Sequence, residues 1–312
     1  MSPVSFFSKN VACAAWHLPG QGDAFVGTGG RPCVVMAHGF GGTRDTGLLA
    51  FAEGFAAAGL DVLLFDYRGF GDSDGSPRQL VSFRQQRADY VAAIAAARTL
   101  PGVDPERIVL WGTSYSGGHV VPVAVADGRI ASVVAMTPAM DGLAALIAMY
   151  RHGGVRRLAP LVVNGLRDAT RALLGRAPHH IALVGEPGST AVLTGPGALA
   201  GYTALAGPTW RNEVCARVAL EVAFNRPIRS ASRLRTPLLV QVGENDSVVP
   251  PASSKRAATR AGGPSELKAY PLDHFDIYDG PEQHRALADQ IDFLRRHLAG
   301  QVRHTTKKVA SR

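Results

Sequence analysis

The chain has 312 residues, 46% hydrophobic and 19% charged, a balance that suits a globular α/β domain with room for an insertion and excludes a disordered or fibrous chain. No stretch approaches the ~18 consecutive apolar residues of a membrane span. The first nine residues lack the basic flank and apolar block of a secretory signal, so a cytoplasmic location is expected. The formal net charge of +8 accompanies no nucleic-acid-binding motif, so no nucleic-acid partner is expected; Cys13, Cys33 and Cys215 are too scattered for a disulfide framework.

In chain order, residues 6–19 carry two short β-like runs, the second over 11–18, followed by a glycine-rich loop over 20–30. Residues 32–37 form a near-continuous apolar run of strand length, the pattern of a strand buried on both faces. A helix over 48–59 and a buried strand over 60–65 follow, then a helix over 81–100, a strand over 107–111, a helix over 115–127 and a strand over 131–136. Strands alternating with helices predict a mostly parallel sheet covered on both faces, with ligands bound beyond the carboxyl ends of its strands.

The next buried strand is read at 237–242, about a hundred residues later, which is far beyond an ordinary crossover and predicts an insertion. Within it Val162, Leu166, Ala169 and Leu173 recur at helical spacing, and so do Trp210, Val214, Val218 and Val222. Both sets predict lid helices. A helix over 253–261, a strand over 267–272 and an amphipathic helix over 281–298 close the fold, and a basic tail follows, read as a solvated, disordered end.

Chemistry concentrates at residues 109–118, an apolar strand, a cramped turn and a helix start. A nucleophile elbow demands small residues two before and two after the nucleophile, and Gly112 and Ser116 meet that demand around Ser114. Ser116 is a rival, flanked by Ser114 and Gly118, but the apolar run ends at Trp111 and places Ser116 inside the helix. A serine hydroxyl needs a general base. His274, between the last strand and the closing helix, is the candidate; His119 sits on the helix after the elbow, and His179 and His180 lack further ligands of metal-site spacing.

The third member is a carboxylate that fixes the imidazole tautomer, and Asp246, just past the strand at 237–242, is placed for it, with Glu244, Asp276 and Asp141 as rivals. Two backbone donors must face the developing oxyanion. The N–H of Tyr115 is one candidate, and that of Phe40, within His38-Gly39-Phe40-Gly41-Gly42, is the other. Neither a phosphate loop nor a dinucleotide fingerprint is present, so no cofactor and no metal are expected.

The motifs at 38–42, 66–73, 112–118, 243–250 and 274–276 together resemble the α/β-hydrolase superfamily, whose triad order is Ser, Asp, His. The Ser114-Tyr115 pair and the lid placement are similar to its serine aminopeptidase-like, X-Pro dipeptidyl-peptidase-like and polyketide acyltransferase-like branch, although Ser116 replaces the usual second glycine. The resemblance implies an α/β-hydrolase core over 1–138 and 229–299, a lid over 139–228 and a tail over 300–312. A serine nucleophile implies acyl transfer rather than dehalogenase or epoxide chemistry.

The leading expectation is a serine hydrolase acting on carboxylic esters of small to medium acyl groups, with Leu143, Leu146, Ile147 and Met149 shaping the acyl pocket. An acyltransferase or thioesterase with the same triad, a peptidase, and a non-catalytic binding module are the alternatives. The expected partner is a small acyl ester or thioester; oligomeric state is left open, a homodimer included.

Overall fold

The computed structural model describes residues 1–298, and the basic tail over 300–312 falls outside the described residues. A hairpin of β1 (Ser2–Ser8) and β2 (Val11–Leu18) opens the chain, turning through Lys9 and Asn10 at positive φ. The core strands are β3 (Arg31–Ala37), β4 (Asp61–Phe65), β5 (Val103–Thr113) and β6 (Ser132–Met136). Their order in the sheet is β1-β2-β4-β3-β5-β6, extended later by two more strands. β2 runs antiparallel to β4, and from β4 onward every pairing is parallel.

The continuous apolar runs are explained by two cores, one on each face of the sheet. Val35, Ala37, Leu63, Leu110 and Val133 face a layer of helices α2 (Phe83–Ala97) and α3 (Ser114–Asp127). Their immediate neighbours Val34, Met36, Leu64, Trp111 and Val134 face α1 (Leu49–Ala57). Side chains alternate across a strand, so a strand buried on both faces needs an apolar residue at nearly every position.

Between β6 and the next sheet strand lie α4 (Gly142–Leu173), the two-residue strands β7 (His180–Ile181) and β8 (Val214–Cys215), α5 (Ala198–Leu205) and the single turn α6 (Val218–Glu221). The helical spacing at Val162 to Leu173 is realised in α4. That at Trp210 to Val222 is not: Cys215 pairs with His180, and the N–H groups of Cys215 and Ala216 donate to Gln79 and His179 carbonyls, at 2.8 and 2.9 Å. Backbone pairing outside the segment overrides its apolar period.

β9 (Leu238–Gly243) then joins β6, followed by α7 (Pro251–Arg260), β10 (Ser265–Tyr270) at the far edge, and α8 (Gly280–Leu298), which packs beside α1. Among the described residues no helix is long and apolar enough to cross a membrane.

Candidate active site

The β5–α3 junction carries Ser114 at φ +54°, a left-handed backbone in a residue with a side chain. The elbow holds because its neighbours are small. A Cβ on Gly112 would lie 2.4 Å from the Ser116 carbonyl oxygen, and one on Gly39 would lie 3.1 Å from Ser114 Cβ. Ser116, the rival nucleophile, is fully buried; its Oγ accepts the Thr113 N–H at 2.9 Å and lies 2.8 Å from the Ala37 carbonyl, to which it donates. Its hydroxyl therefore binds the elbow to the end of β3 and closes a capping box with Thr113 at the start of α3.

His274 follows β10 and Asp246 follows β9, so adjacent parallel strands deliver both side chains to one edge. His274 Nε2 stands 3.1 Å from Ser114 Oγ, and Nδ1 stands 2.7 Å from Asp246 Oδ2. With Nδ1–H donating to the carboxylate, Nε2 presents a lone pair to the serine hydroxyl. The second Asp246 oxygen accepts the N–H groups of Val248 and Val249 at 2.9 and 2.6 Å, which fixes the carboxylate's direction. Both members of this pair are buried.

The rival groups are engaged elsewhere. Glu244 pairs with Lys255, Asp276 accepts the Asp273 N–H, and Asp141 caps α4 and binds Arg226 through two oxygens. His119 is buried against Gln86, with burial holding its imidazole pKa well below the ordinary value. His179 meets Asn164, and His180 meets the Arg78 carbonyl. Among the described residues no group of three or more metal-type side chains converges.

Phe40 and Tyr115 come together across the elbow, their rings edge to face at 5.2 Å. Tyr115 lies in the first turn of α3, where N–H groups have no intrahelical acceptor. The Phe40 N–H has no protein acceptor among the described residues, while its carbonyl accepts the Tyr202 hydroxyl at 2.8 Å. His38 beneath this loop is buried, with Nδ1 3.0 Å from the Gly39 carbonyl. Burial lowers its pKa to about 4, against the opposing pull of that hydrogen bond, so the imidazole stays neutral at pH 7.

A cavity of about 30 Å³ opens on Ser114 and His274, with Phe40, Leu48, Leu193, Tyr202, Leu205 and Phe275 supplying its apolar wall. Leu143, Leu146, Ile147 and Met149, expected to shape the pocket, do not line it. Leu143 and Ile147 point to solvent on α4, and the inserted segment meets the site instead through Leu193, Tyr202 and Leu205.

The profile of the family described as serine aminopeptidase, S33 matches residues 30–272. The chain belongs to the serine aminopeptidase S33 family. It is 41% identical over 296 residues, 94% of each chain, to the quorum-quenching protein AidA of Acinetobacter baumannii strain MDR-ZJ06. Its fold is similar to that of DcsB, solved with a substrate analogue, at a TM-score of 0.80 with 22% identity over 96% of this chain and 99% of that one. The α/β hydrolase GrgF from Penicillium sp. sh18 gives a TM-score of 0.78 with 24% identity, again over 96% and 99%. The α/β-hydrolase resemblance is borne out.

In this S33 hydrolase two site features carried no sequence signal strong enough to single them out. Asp273 accepts the N–H groups of its neighbour His274 and of Ser247, at 2.6 and 2.7 Å, and so ties the histidine loop to the loop of Asp246. Tyr202, remote in sequence, reaches the Phe40 carbonyl. The Thr113-x-x-Ser116 spacing is itself a capping signal, since Ser116 Oγ accepts the Thr113 N–H at the start of α3.

Proposed function

We propose that this S33 hydrolase cleaves carboxylic esters of small to medium acyl groups through an acyl-serine intermediate. The observation that carries the reading is the unbroken hydrogen-bonded line from Asp246 through both ring nitrogens of His274 to Ser114 Oγ. Ser114 Oγ attacks the ester carbonyl carbon as its proton passes to His274 Nε2, and Asp246 stabilises the imidazolium. The N–H groups of Phe40 and Tyr115 hold the oxyanion. Collapse of the tetrahedral adduct returns the proton to the leaving alkoxide, and a water, deprotonated by His274, releases the acid.

The segment over 139–228 serves as the lid of a core over 1–138 and 229–299, and the chain works in the cytoplasm on a small-molecule substrate. Leu193, Tyr202 and Leu205 of the inserted segment narrow the cavity over Ser114, so their movement would govern which acyl chains enter. Turnover of p-nitrophenyl esters of increasing acyl length tests the reading. The expected result is measurable hydrolysis that falls with acyl length, reduced about 10⁴-fold or more in Ser114→Ala. Equal turnover by that variant, or none of any ester by the wild type, contradicts it.

The apolar wall around Ser114 also suits transfer of the acyl group to an alcohol, amine or thiol, or removal from a thioester, and product analysis with competing acceptors separates these outcomes. Identity of 41% to AidA supports a quorum-quenching role as a second reading, tested by loss of signal from a quorum-sensing reporter after incubation with this chain.

A further inference from the structure

The inserted segment exposes a row of aliphatic side chains that the site does not use. In α4 the residues Val155, Val162, Leu166 and Leu173 follow one another at intervals of seven, four and seven, which at 3.6 residues per turn is one line along the helix. They are 65%, 41%, 54% and 88% exposed, and Val163 and Leu174 extend the patch sideways at 63% and 61%. A monomeric surface rarely keeps such a contiguous apolar strip without a use for it. The opposite side of the same helix carries the buried Leu161, Gly165 and Asp168.

Charge decides what covers the strip. Arg156 and Arg167 are exposed and lie eleven residues apart, so both stand on the same flank of the row, and Arg151 and Arg176 are exposed at either end of this part of the chain. The only carboxylate of α4, Asp168, is buried and bound by Arg217. A second copy of the chain packed on this strip about a two-fold axis would set arginine flanks against a helix offering no exposed carboxylate in return. An anionic lipid surface supplies what the strip lacks: acyl chains for the aliphatic row and negative headgroups for the arginines.

We propose that α4 docks this S33 hydrolase on anionic lipid bilayers, lying in the interface with its Val155–Leu173 row toward the acyl chains and Arg156 and Arg167 at the headgroups. The assignment is independent of the ester-hydrolase reading, because it concerns the outer face of α4 and is read without catalysis.

Flotation of the full chain with vesicles of phosphatidylcholine alone and with vesicles containing phosphatidylglycerol tests it, together with Leu166→Ser/Leu173→Ser and Arg156→Gln/Arg167→Gln. Binding is expected only to the anionic vesicles, weakened by salt and reduced by about tenfold or more in each double variant. Unchanged melting temperatures would show that both variants fold. In a third variant, Leu173→Trp, tryptophan emission should shift to the blue on those vesicles. Equal binding to both vesicle types, or binding that both double variants retain, would overturn the proposal by placing the lipid contact elsewhere or nowhere. So would a dimer in sedimentation velocity that Leu166→Ser/Leu173→Ser dissociates, since the strip would then belong to a second copy.

Discussion

Ser116 Oγ spans the 2.8 Å to the Ala37 carbonyl and also accepts the Thr113 N–H, so the residue two beyond Ser114 links the elbow to the end of the neighbouring strand. A glycine at this position would leave both backbone groups without that partner in a fully buried site. Ser116→Ala is expected to lower stability by about 1–3 kcal/mol, the cost of orphaned buried polar groups, while Ser114 keeps its reactivity. Chemical denaturation alongside active-site labelling checks it; a variant of wild-type stability would show that the hydroxyl bridge contributes nothing.

Gly112 is the tightest point beneath the nucleophile, where an added methyl would meet the Ser116 backbone at 2.4 Å. Because backbone rather than a flexible side chain must yield, Gly112→Ala is expected to cost about 3 kcal/mol and to displace Ser114. A fall in both melting temperature and ester turnover is the expected outcome, and a loss of neither would mean that the elbow has slack.

Arg157 of α4 donates to the carbonyls of Ser189, Ala191 and Val192 at 3.2, 2.9 and 2.9 Å, and the next residue, Leu193, lines the cavity. That side chain, together with the Val192 and Leu193 N–H groups donating to the Ala182 and Leu183 carbonyls at 3.1 and 2.9 Å, holds the loop that narrows the site. Arg157→Gln should loosen that loop and raise kcat/KM for longer acyl esters by about threefold to tenfold, with short esters little changed, since about a kilocalorie of closure is removed. A parallel loss for all chain lengths would instead mean that the loop positions substrate.

Buried His38 imposes a pH dependence. Its pKa is about 4 in the folded protein against 6.5 unfolded, so as pH falls from 6.5 toward 4 the unfolded chain takes up the proton first and stability is lost. The full effect is about 3 kcal/mol. Asp66, which burial raises to about 6 against the pull of Arg44, works the other way: below pH 6 the folded state gains its proton first. The two slopes overlap, so the test is a difference. His38→Gln should lose less stability than the wild type between pH 6.5 and 4, and identical slopes would refute the burial argument.

What the sequence disclosed was mostly what alternation and small residues encode. Val34 and Val35, facing opposite cores, read directly as a doubly buried strand, and Gly112 ahead of Ser114 read as an elbow. Asp246 and His274 were legible because each follows a buried or late strand, and parallel neighbours bring such loops together. The inserted segment was harder. Leu143 and Ile147 have the spacing of a pocket wall yet face solvent, because period alone does not say which side of a helix meets the protein. Val214 and Val218 share a helical period, but Cys215 spends its N–H on Gln79, a contact no local pattern encodes.

The most direct measurement is reaction of the folded protein with a fluorophosphonate, followed by intact mass and mapping of the modified residue, with Ser114→Ala alongside. A nucleophile activated by His274 3.1 Å away should yield one adduct, on Ser114, absent from the variant and strongly reduced in His274→Ala. An adduct on Ser116, or none on folded protein whose Arg157→Gln form is equally unreactive, would contradict the assignment of Ser114 as the activated serine.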